Sequence, residues 1–225
     1  MVLLRSNGSI ANPMNFNSAI FEKNSVEALK QIILTPEDGR STEERWRRET
    51  PYTASLLIQH LALAAGDTIV DFGCGIGRLA KEILSRVDVR VIGVDISKSM
   101  LVESLRYVDD PRFCPMPYAM FVDLCAKGRL QFTHAFAIYV LQHCERPAEA
   151  IGAFRQGGAR RVMAVNMVRR VMPVVEATDR RYPWVDDGVS VSDEILRHFP
   201  GRTAIPLDPG IMSLTDETWA AVFAR

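Results

Sequence analysis

Three glycines at alternate positions, Gly73, Gly75 and Gly77, follow the apolar run Ile69-Val70 and lead into Arg78-Leu79-Ala80. A loop of this kind, leaving a buried strand and entering a helix, lets the backbone turn tightly against a ligand, as nucleotide-binding loops do. Its spacing discriminates between nucleotides. A dinucleotide fingerprint requires glycine at the first, third and sixth positions, whereas here the sixth is Arg78 and the glycine falls at the fifth. Asp71, two residues before the first glycine, repels a pyrophosphate and suits a cationic amino-acid group. A second acid, Asp95, closes the run Val91-Ile92-Gly93-Val94 and lies 22 residues beyond Gly73, where a carboxylate can accept both hydrogen bonds of a ribose diol. The two acids and the loop together favour a sulfonium cofactor over a nicotinamide one.

Groups placed this way need a scaffold of alternating strands and helices. Strands are expected over 68–72, 89–94, 112–114, 133–138 and 161–166, with helices over 78–85, 98–107, about 118–127 and 147–156 between them. Short apolar runs separated by helices are the pattern of a parallel sheet with crossover connections. The tail departs from it: a helix over 192–199 precedes strands over 202–206 and 218–223, joined through Asp208-Pro209-Gly210, which reads as a closing antiparallel pair. Ahead of the core, Asn24 and Glu27 are spaced as a capping box for a helix over 25–34, and Ser41 with Glu44 opens a second. Thr50-Pro51 then reads as the start of a third helix, running through Leu63 and burying Leu56, Leu57 and Leu61. The first seventeen residues, with Ser, Asn, Gly and Pro in no periodic order, read as a loose arm.

With 225 residues, 48% of them hydrophobic, the chain can bury a full core, and one domain is expected: residues 1–65 as arm and helical cover, 66–225 as core. A formal charge of zero gives no overall field towards nucleic acid or an anionic membrane. No window approaches the roughly 18 apolar residues of a membrane span, and the N-terminal stretch is too short for a signal peptide, so a soluble, cytoplasmic protein is expected. Cys74, Cys114, Cys125 and Cys144 are widely spaced without a C-x-x-C pair, which argues against a disulfide framework and a zinc site.

The run Val70-Asp71-Phe72-Gly73-Cys74-Gly75-Ile76-Gly77-Arg78, followed by Gly93-Val94-Asp95-Ile96-Ser97, resembles the first two motifs of class I S-adenosylmethionine-dependent methyltransferases. The resemblance extends by motif from Thr68 to about Arg146 and by element order beyond. It implies a Rossmann-like three-layer α/β sandwich on a mostly parallel seven-stranded sheet, order 3-2-1-4-5-7-6, with S-adenosyl-L-methionine as cofactor. On this basis Gly73, Cys74, Gly75 and Gly77 approach its methionine and ribose, Asp71 supports the loop or the methionine ammonium, Asp95 binds the ribose hydroxyls, Ile96 lines the adenine and Ala137 completes the cleft. Family members often place an acid after the third strand to meet the adenine amino group. Here the stretch is Phe113-Cys114-Pro115-Met116-Pro117, so backbone groups, Met116 or another acid must serve.

The acceptor side is less specific. The resemblance is to the small-molecule group, because the Asp/Asn-Pro-Pro-aromatic motif of base-modifying enzymes is absent after the fourth strand. Nor is there a metal set of the catechol-methylating kind, and no metal is expected. His143 could take a proton from an acceptor hydroxyl or amine, or could anchor its loop through a backbone carbonyl. Tyr139, at the strand's outlet, could serve as a pocket wall or a hydrogen-bond donor. Trp46 and Arg47 either close over the cofactor and meet its carboxylate or pack and solvate a helix. The connection 167–189, after the fifth strand, reads either as a substrate lid through Tyr182 and Trp184 or as a solvated surface whose paired arginines are balanced by Asp179, Asp186 and Asp187. Methyl transfer to an oxygen or nitrogen of a small molecule is the expected activity, the alternatives being a non-catalytic cofactor-binding protein and an NAD-dependent oxidoreductase.

Overall fold

The computed structural model describes residues 4–5, 16–174 and 184–225. From the N-terminus, β1 (Leu4–Arg5), a 3-10 turn (Ser18–Phe21), α1 (Val26–Ile33) and α2 (Thr42–Leu61) precede the alternating core. That core runs β2 (Thr68–Phe72), α3 (Arg78–Leu84), β3 (Arg90–Asp95), α4 (Lys98–Val108), β4 (Phe113–Pro117), α5 (Tyr118–Ala126), β5 (His134–Ile138), α6 (Pro147–Gln156) and β6 (Arg161–Met167). After it come β7 (Met172–Pro173), β8 (Trp184–Asp186), α7 (Val191–His198), β9 (Gly201–Ala204) and β10 (Thr218–Ala224).

Seven strands form the central sheet in the order β4-β3-β2-β5-β6-β10-β9. Counted within the core, this is the expected 3-2-1-4-5-7-6. Strands β4 to β6 pair in parallel, and β10 enters antiparallel to both β6 and β9, closing the sheet with the reversed pair read from the tail. The edge strand β4 carries Pro115 and Pro117, a placement that removes ladder donors where no neighbour needs them. A separate three-stranded ribbon, β1-β8-β7, lies outside this sheet.

Strand side chains alternate between two apolar layers. Val70 and Phe72 face Phe121, Phe154 and Phe223, while Ile69 faces Leu57, Leu61 and Ile83. Asp71 therefore falls on the Ile69 side, an acid in an otherwise apolar strand, 4% exposed.

Three expectations are corrected in the helical cover. The helices expected on either side of Pro51 are one, with Ser41 as N-cap and Pro51 inside. An interior proline costs about 3 kcal/mol. Against that stand Leu57 and Leu61, fully buried beyond the proline, each contributing roughly 1.5 to 3 kcal/mol, with Arg45, Trp46 and Glu49 buried before it. Both halves are thus held to the same surface, and the helix continues through the break. At α1 the cap is Ser25, whose side chain accepts from the Ala28 N–H, and not Asn24. Leu56 is half-buried, unlike Leu57 and Leu61. The third strand, expected over 112–114, extends through five residues because β3 offers it a full parallel register from Val91 to Asp95.

Candidate functional site

The glycine loop lies at the carboxyl ends of β2 and β3, and nearly every backbone donor in it is already engaged. The N–H groups of Gly73 and Cys74 both donate to the Val94 carbonyl, at 2.7 and 3.0 Å, and that of Gly77 to the Cys74 carbonyl at 2.9 Å. Gly75 N–H donates to Asp95 Oδ2 at 2.8 Å. A pyrophosphate site needs a bank of free N–H groups at such a turn; this loop spends its donors on holding its own shape. The glycines also meet protein closely. Gly77, with φ of +82°, would place a Cβ 2.3 Å from Val108 Cγ2, and a Cβ on Gly75 would lie 2.7 Å from Ile33 of α1. Gly77 is thus required by the packing of α3 on α4, and Gly75 by the helical cover. Cys74 turns its thiol into the core, 6% exposed, so only its backbone reaches the cleft.

Beneath the loop is a buried charged chamber. Asp71 Oδ2 is buried without a hydrogen-bond partner among the described residues. Burial pushes the Asp71 carboxyl up to about 7, with Arg78 opposing and Asp95 reinforcing the rise. Arg78 donates to Thr50 Oγ1 at 2.9 Å and lies 5.6 Å from the Trp46 ring centroid, and its Nε is also unpartnered. Burial lowers Arg78 to about 10, against the pull of Glu49 and Asp71. Arg45 and Glu49, one helical turn apart on α2, form a bidentate pair at 2.6 and 3.1 Å, 3% and 1% exposed. Glu49 belongs to the segment that the sequence offers as a cofactor cover, whereas Arg45 and Arg78 carry no site reading there. The four-residue spacing of Arg45 and Glu49 and the position of Arg78 directly after the loop were the available signals.

Asp95 is held at the mouth of β3 by two backbone donors, Gly75 N–H on Oδ2 and Ser97 N–H on Oδ1 at 2.9 Å. The carboxylate keeps lone-pair capacity for a ligand hydroxyl. Burial raises the Asp95 carboxyl, and hydrogen bonds from Ser97, Gly75 and Ile96 oppose it. Ile96, next in the chain, is 49% exposed, an aliphatic face presented at the outlet. Met116 is buried among core residues at 6% exposure and Ala137 is fully buried, so neither side chain reaches an open cleft. Alternation along a buried strand sends both inward.

Over this mouth runs residues 16–23. Asn17 N–H donates to the Pro173 carbonyl at 3.1 Å, the Phe21 ring lies 6.4 Å from His143, and Glu22 accepts from Lys98 and Ser99 N–H at 2.8 and 3.2 Å. Of the expected loose arm, residues 1–17, Phe16 and Asn17 pair with Val174 and Pro173, and residues 1–3 and 6–15 lie outside the described residues.

His143 and Tyr139 sit at the outlet of β5. His143 Nδ1 pairs with the Val171 carbonyl at 2.7 Å and its Nε2 with Gln142 Nε2 at 3.2 Å, the anchoring arrangement. Burial lowers its basicity, with the Val171 bond opposing. Tyr139 adopts φ of +59° and its hydroxyl lies 3.4 Å from Thr218 Oγ1, on the side of Arg45, Glu49 and Arg78. Trp46 is 8% exposed and donates to the Tyr107 hydroxyl at 3.2 Å, packing with Ile76 instead of facing an open cleft. Arg47 is exposed on the outer face of α2, because the buried face of that helix is taken by Arg45, Trp46 and Glu49. Tyr182 and the side chain of Trp184 lie outside the described residues. Within the same connection, Arg170 is 3% exposed, pairs with Asp187 at 2.9 Å and donates to the Cys144 and Glu145 carbonyls.

Residues 70–157 match a family described as a methyltransferase domain. No curated protein matches the chain. Among solved structures, magnesium protoporphyrin IX methyltransferase from Synechocystis PCC 6803, with bound S-adenosylhomocysteine, is similar at 15% identity and a TM-score of 0.55, covering 82% of this chain and 86% of that one. The CurJ carbon methyltransferase is similar at 13% identity and a TM-score of 0.57, covering 89% of this chain and 58% of that one. Phosphoethanolamine N-methyltransferase 2 of Haemonchus contortus is similar at 15% identity and a TM-score of 0.55, covering 82% and 44%. The strand order, the glycine loop and the two acids stand beside that match: over residues 70–157 the chain is similar to a methyltransferase domain, on a fold that it shares with solved methyltransferases.

Proposed function

We propose that this chain transfers the methyl group of S-adenosylmethionine to an oxygen or nitrogen of a small-molecule acceptor. The observation that carries the cofactor side is Asp71 Oδ2, a buried carboxylate oxygen at the end of β2 left without a partner among the described residues. A buried polar atom in that state calls for a donor, and an ammonium supplies both the hydrogen bond and the opposite charge. Asp95 presents its remaining lone pairs to a diol, and Ile96 offers the adjoining apolar surface. When bound, the cofactor supplies an electrophilic methyl on a sulfonium.

The acceptor class follows from what the outlet of β5 can do with protons. Burial lowers the basicity of His143, leaving it a weak proton acceptor, and keeps the Tyr139 phenol protonated. Neither is poised to strip a proton from carbon, whereas an oxygen or nitrogen lone pair attacks without a strong base. Alignment of donor and acceptor supplies the catalysis, and well-oriented pairs gain about 7 to 11 kcal/mol in this way. The fold alone does not choose between acceptors, since a carbon methyltransferase and an N-methyltransferase share it at similar TM-scores.

The test is incubation with S-adenosylmethionine and a panel of hydroxyl, amine and carbon-acid metabolites, following S-adenosylhomocysteine release and product mass. Methylated alcohols or amines are expected. A product methylated only on carbon would overturn the acceptor assignment, and tight cofactor binding with no turnover across the panel would overturn the catalytic one.

A further inference from the structure

The opposite end of the sheet carries a concentration of positive charge that methyl transfer does not use. In the ladder, Ala224 of β10 pairs with Arg161 of β6 and with Gly201 of β9, while Phe223 pairs with Arg202. This register brings Arg160, Arg161, Arg202 and Arg225 to one rim, away from the carboxyl ends where the glycine loop lies. Two open clefts occur there, of about 520 and 530 Å³. Arg160, Arg161, Arg225 and His134 line the first, Arg161, Arg202 and His60 the second, and Arg161 belongs to both.

These arginines are poorly compensated. The one carboxylate bonded to them among the described residues is Asp67, 3.2 Å from Arg160. Among the described residues the Arg161 side chain donates to the His60 carbonyl, at 3.4 Å, and that of Arg225 donates to the Arg155 carbonyl, at 2.7 Å, and lies 6.0 Å from the Phe199 ring centroid. Arg202 has no hydrogen bond or ion pair with the described residues. His134, 4% exposed, leaves Nδ1 buried without a partner at the floor of the first cleft. In a chain of zero formal charge, four guanidinium groups around adjoining clefts create a local field that an anion relieves.

We propose that this rim is a second ligand site, distinct from the cofactor cleft, that takes a short phosphate chain. Guanidinium forks match phosphate oxygens bidentately. Each cleft has the volume of a small-molecule pocket, within the range of about 300 to 1,000 Å³. Single-stranded nucleic acid would want aromatic side chains to stack its bases, and the residues lining both clefts include no Phe, Tyr or Trp.

Calorimetric titration with tripolyphosphate, at ionic strength held constant with chloride, tests the site in wild type, in Arg202→Gln and in the double variant Arg161→Gln/Arg202→Gln. Tripolyphosphate is expected to bind wild type, with the single variant weakened several-fold and the double variant about tenfold or more, as loss of charge-assisted contacts implies. Affinity for S-adenosylhomocysteine should stay unchanged in all three. ATP binding at least as well as tripolyphosphate would support the phosphate chain as the recognised group. No tripolyphosphate binding, undiminished binding in the double variant, or competition with S-adenosylhomocysteine would each overturn the proposal. RNA binding with no response to tripolyphosphate would do the same. Arg202 is exposed and unpaired, so the single variant keeps the test valid if the double variant fails to fold.

Discussion

Asp71 and Asp95 are both carboxylates at strand outlets, yet the fold gives them different work. Asp95 binds the loop as well as facing the cleft, so its removal should register twice. Asp95→Ala should weaken S-adenosylhomocysteine binding about tenfold or more, since charge-assisted hydrogen bonds contribute roughly 1.5 to 3 kcal/mol each. It should also lower the melting temperature, because Gly75 and Ser97 lose their acceptor. Asp95→Asn should retain more of the stability than of the affinity. Calorimetry beside thermal melts checks the pair, and wild-type affinity in a folded Asp95→Ala protein would remove Asp95 from the ribose site.

Asp71 sets a pH dependence. Its carboxyl stands at about 7 in the folded protein, above its ordinary 3.8, so between these values the folded state holds a proton that the unfolded chain has released. Stability from this group is therefore full below about pH 4 and is lost as pH rises through 7. Binding of an ammonium favours the ionised form, so cofactor affinity should move the other way and rise from pH 6 to 8. Melts of the ligand-free protein over pH 5 to 8 should show a decline that Asp71→Asn lacks. Parallel curves for the two proteins would refute the shift.

At the scale of elements, the glycine loop is held by helices as much as by its own chemistry. Gly77→Ala adds a methyl against Val108 at a backbone angle that side chains avoid, so α3 or α4 must move. Overpacking of this kind costs about 1 to 3 kcal/mol. The variant should unfold at lower denaturant with little change in the slope of the transition, and an unchanged midpoint would mean that α4 yields freely. The helix α2 shows a local signal overruled. Thr50-Pro51 has the form of a helix start, but the apolar residues after it and the Arg45–Glu49 pair before it bury against the same core, and packing decides.

Across the whole molecule, residues 16–23 join the β7 side of the mouth to the start of α4, so the two sides of the cleft are linked by a strap that includes Asn17, Phe21 and Glu22. Burial works against charge at Glu22, and hydrogen bonds from Ser99 and Lys98 outweigh it and hold its carboxyl below the usual range. A strap held by these few bonds opens more readily than the strands beneath. Hydrogen exchange at the Asn17 amide should be faster than in β2 or β5 and should slow when S-adenosylhomocysteine binds. Exchange as slow as the strands in the free protein would make the strap a rigid part of the core. The described helices include none long and apolar enough to cross a membrane.

The sequence by itself determined the sheet, because alternating apolar strands and helices leave few ways to bury both faces, and its motifs placed Asp71, the glycines and Asp95 together at the strand outlets proposed as the cofactor side. These are local signals, carried by spacing along one stretch of chain. What each residue touches was decided only by tertiary structure. Arg47 and Arg45 are near neighbours in sequence and equal in charge, and the angular position on α2 sends one to solvent and the other to Glu49. The partner of His143 Nδ1 is the Val171 carbonyl, 28 residues away at 2.7 Å, a contact that no spacing near His143 announces. The arginine rim could not be read in advance, since Arg161, Arg202 and Arg225 meet only when β6, β9 and β10 take their register. Contacts between residues distant in the chain depend on how elements pack, and no spacing along one element encodes them.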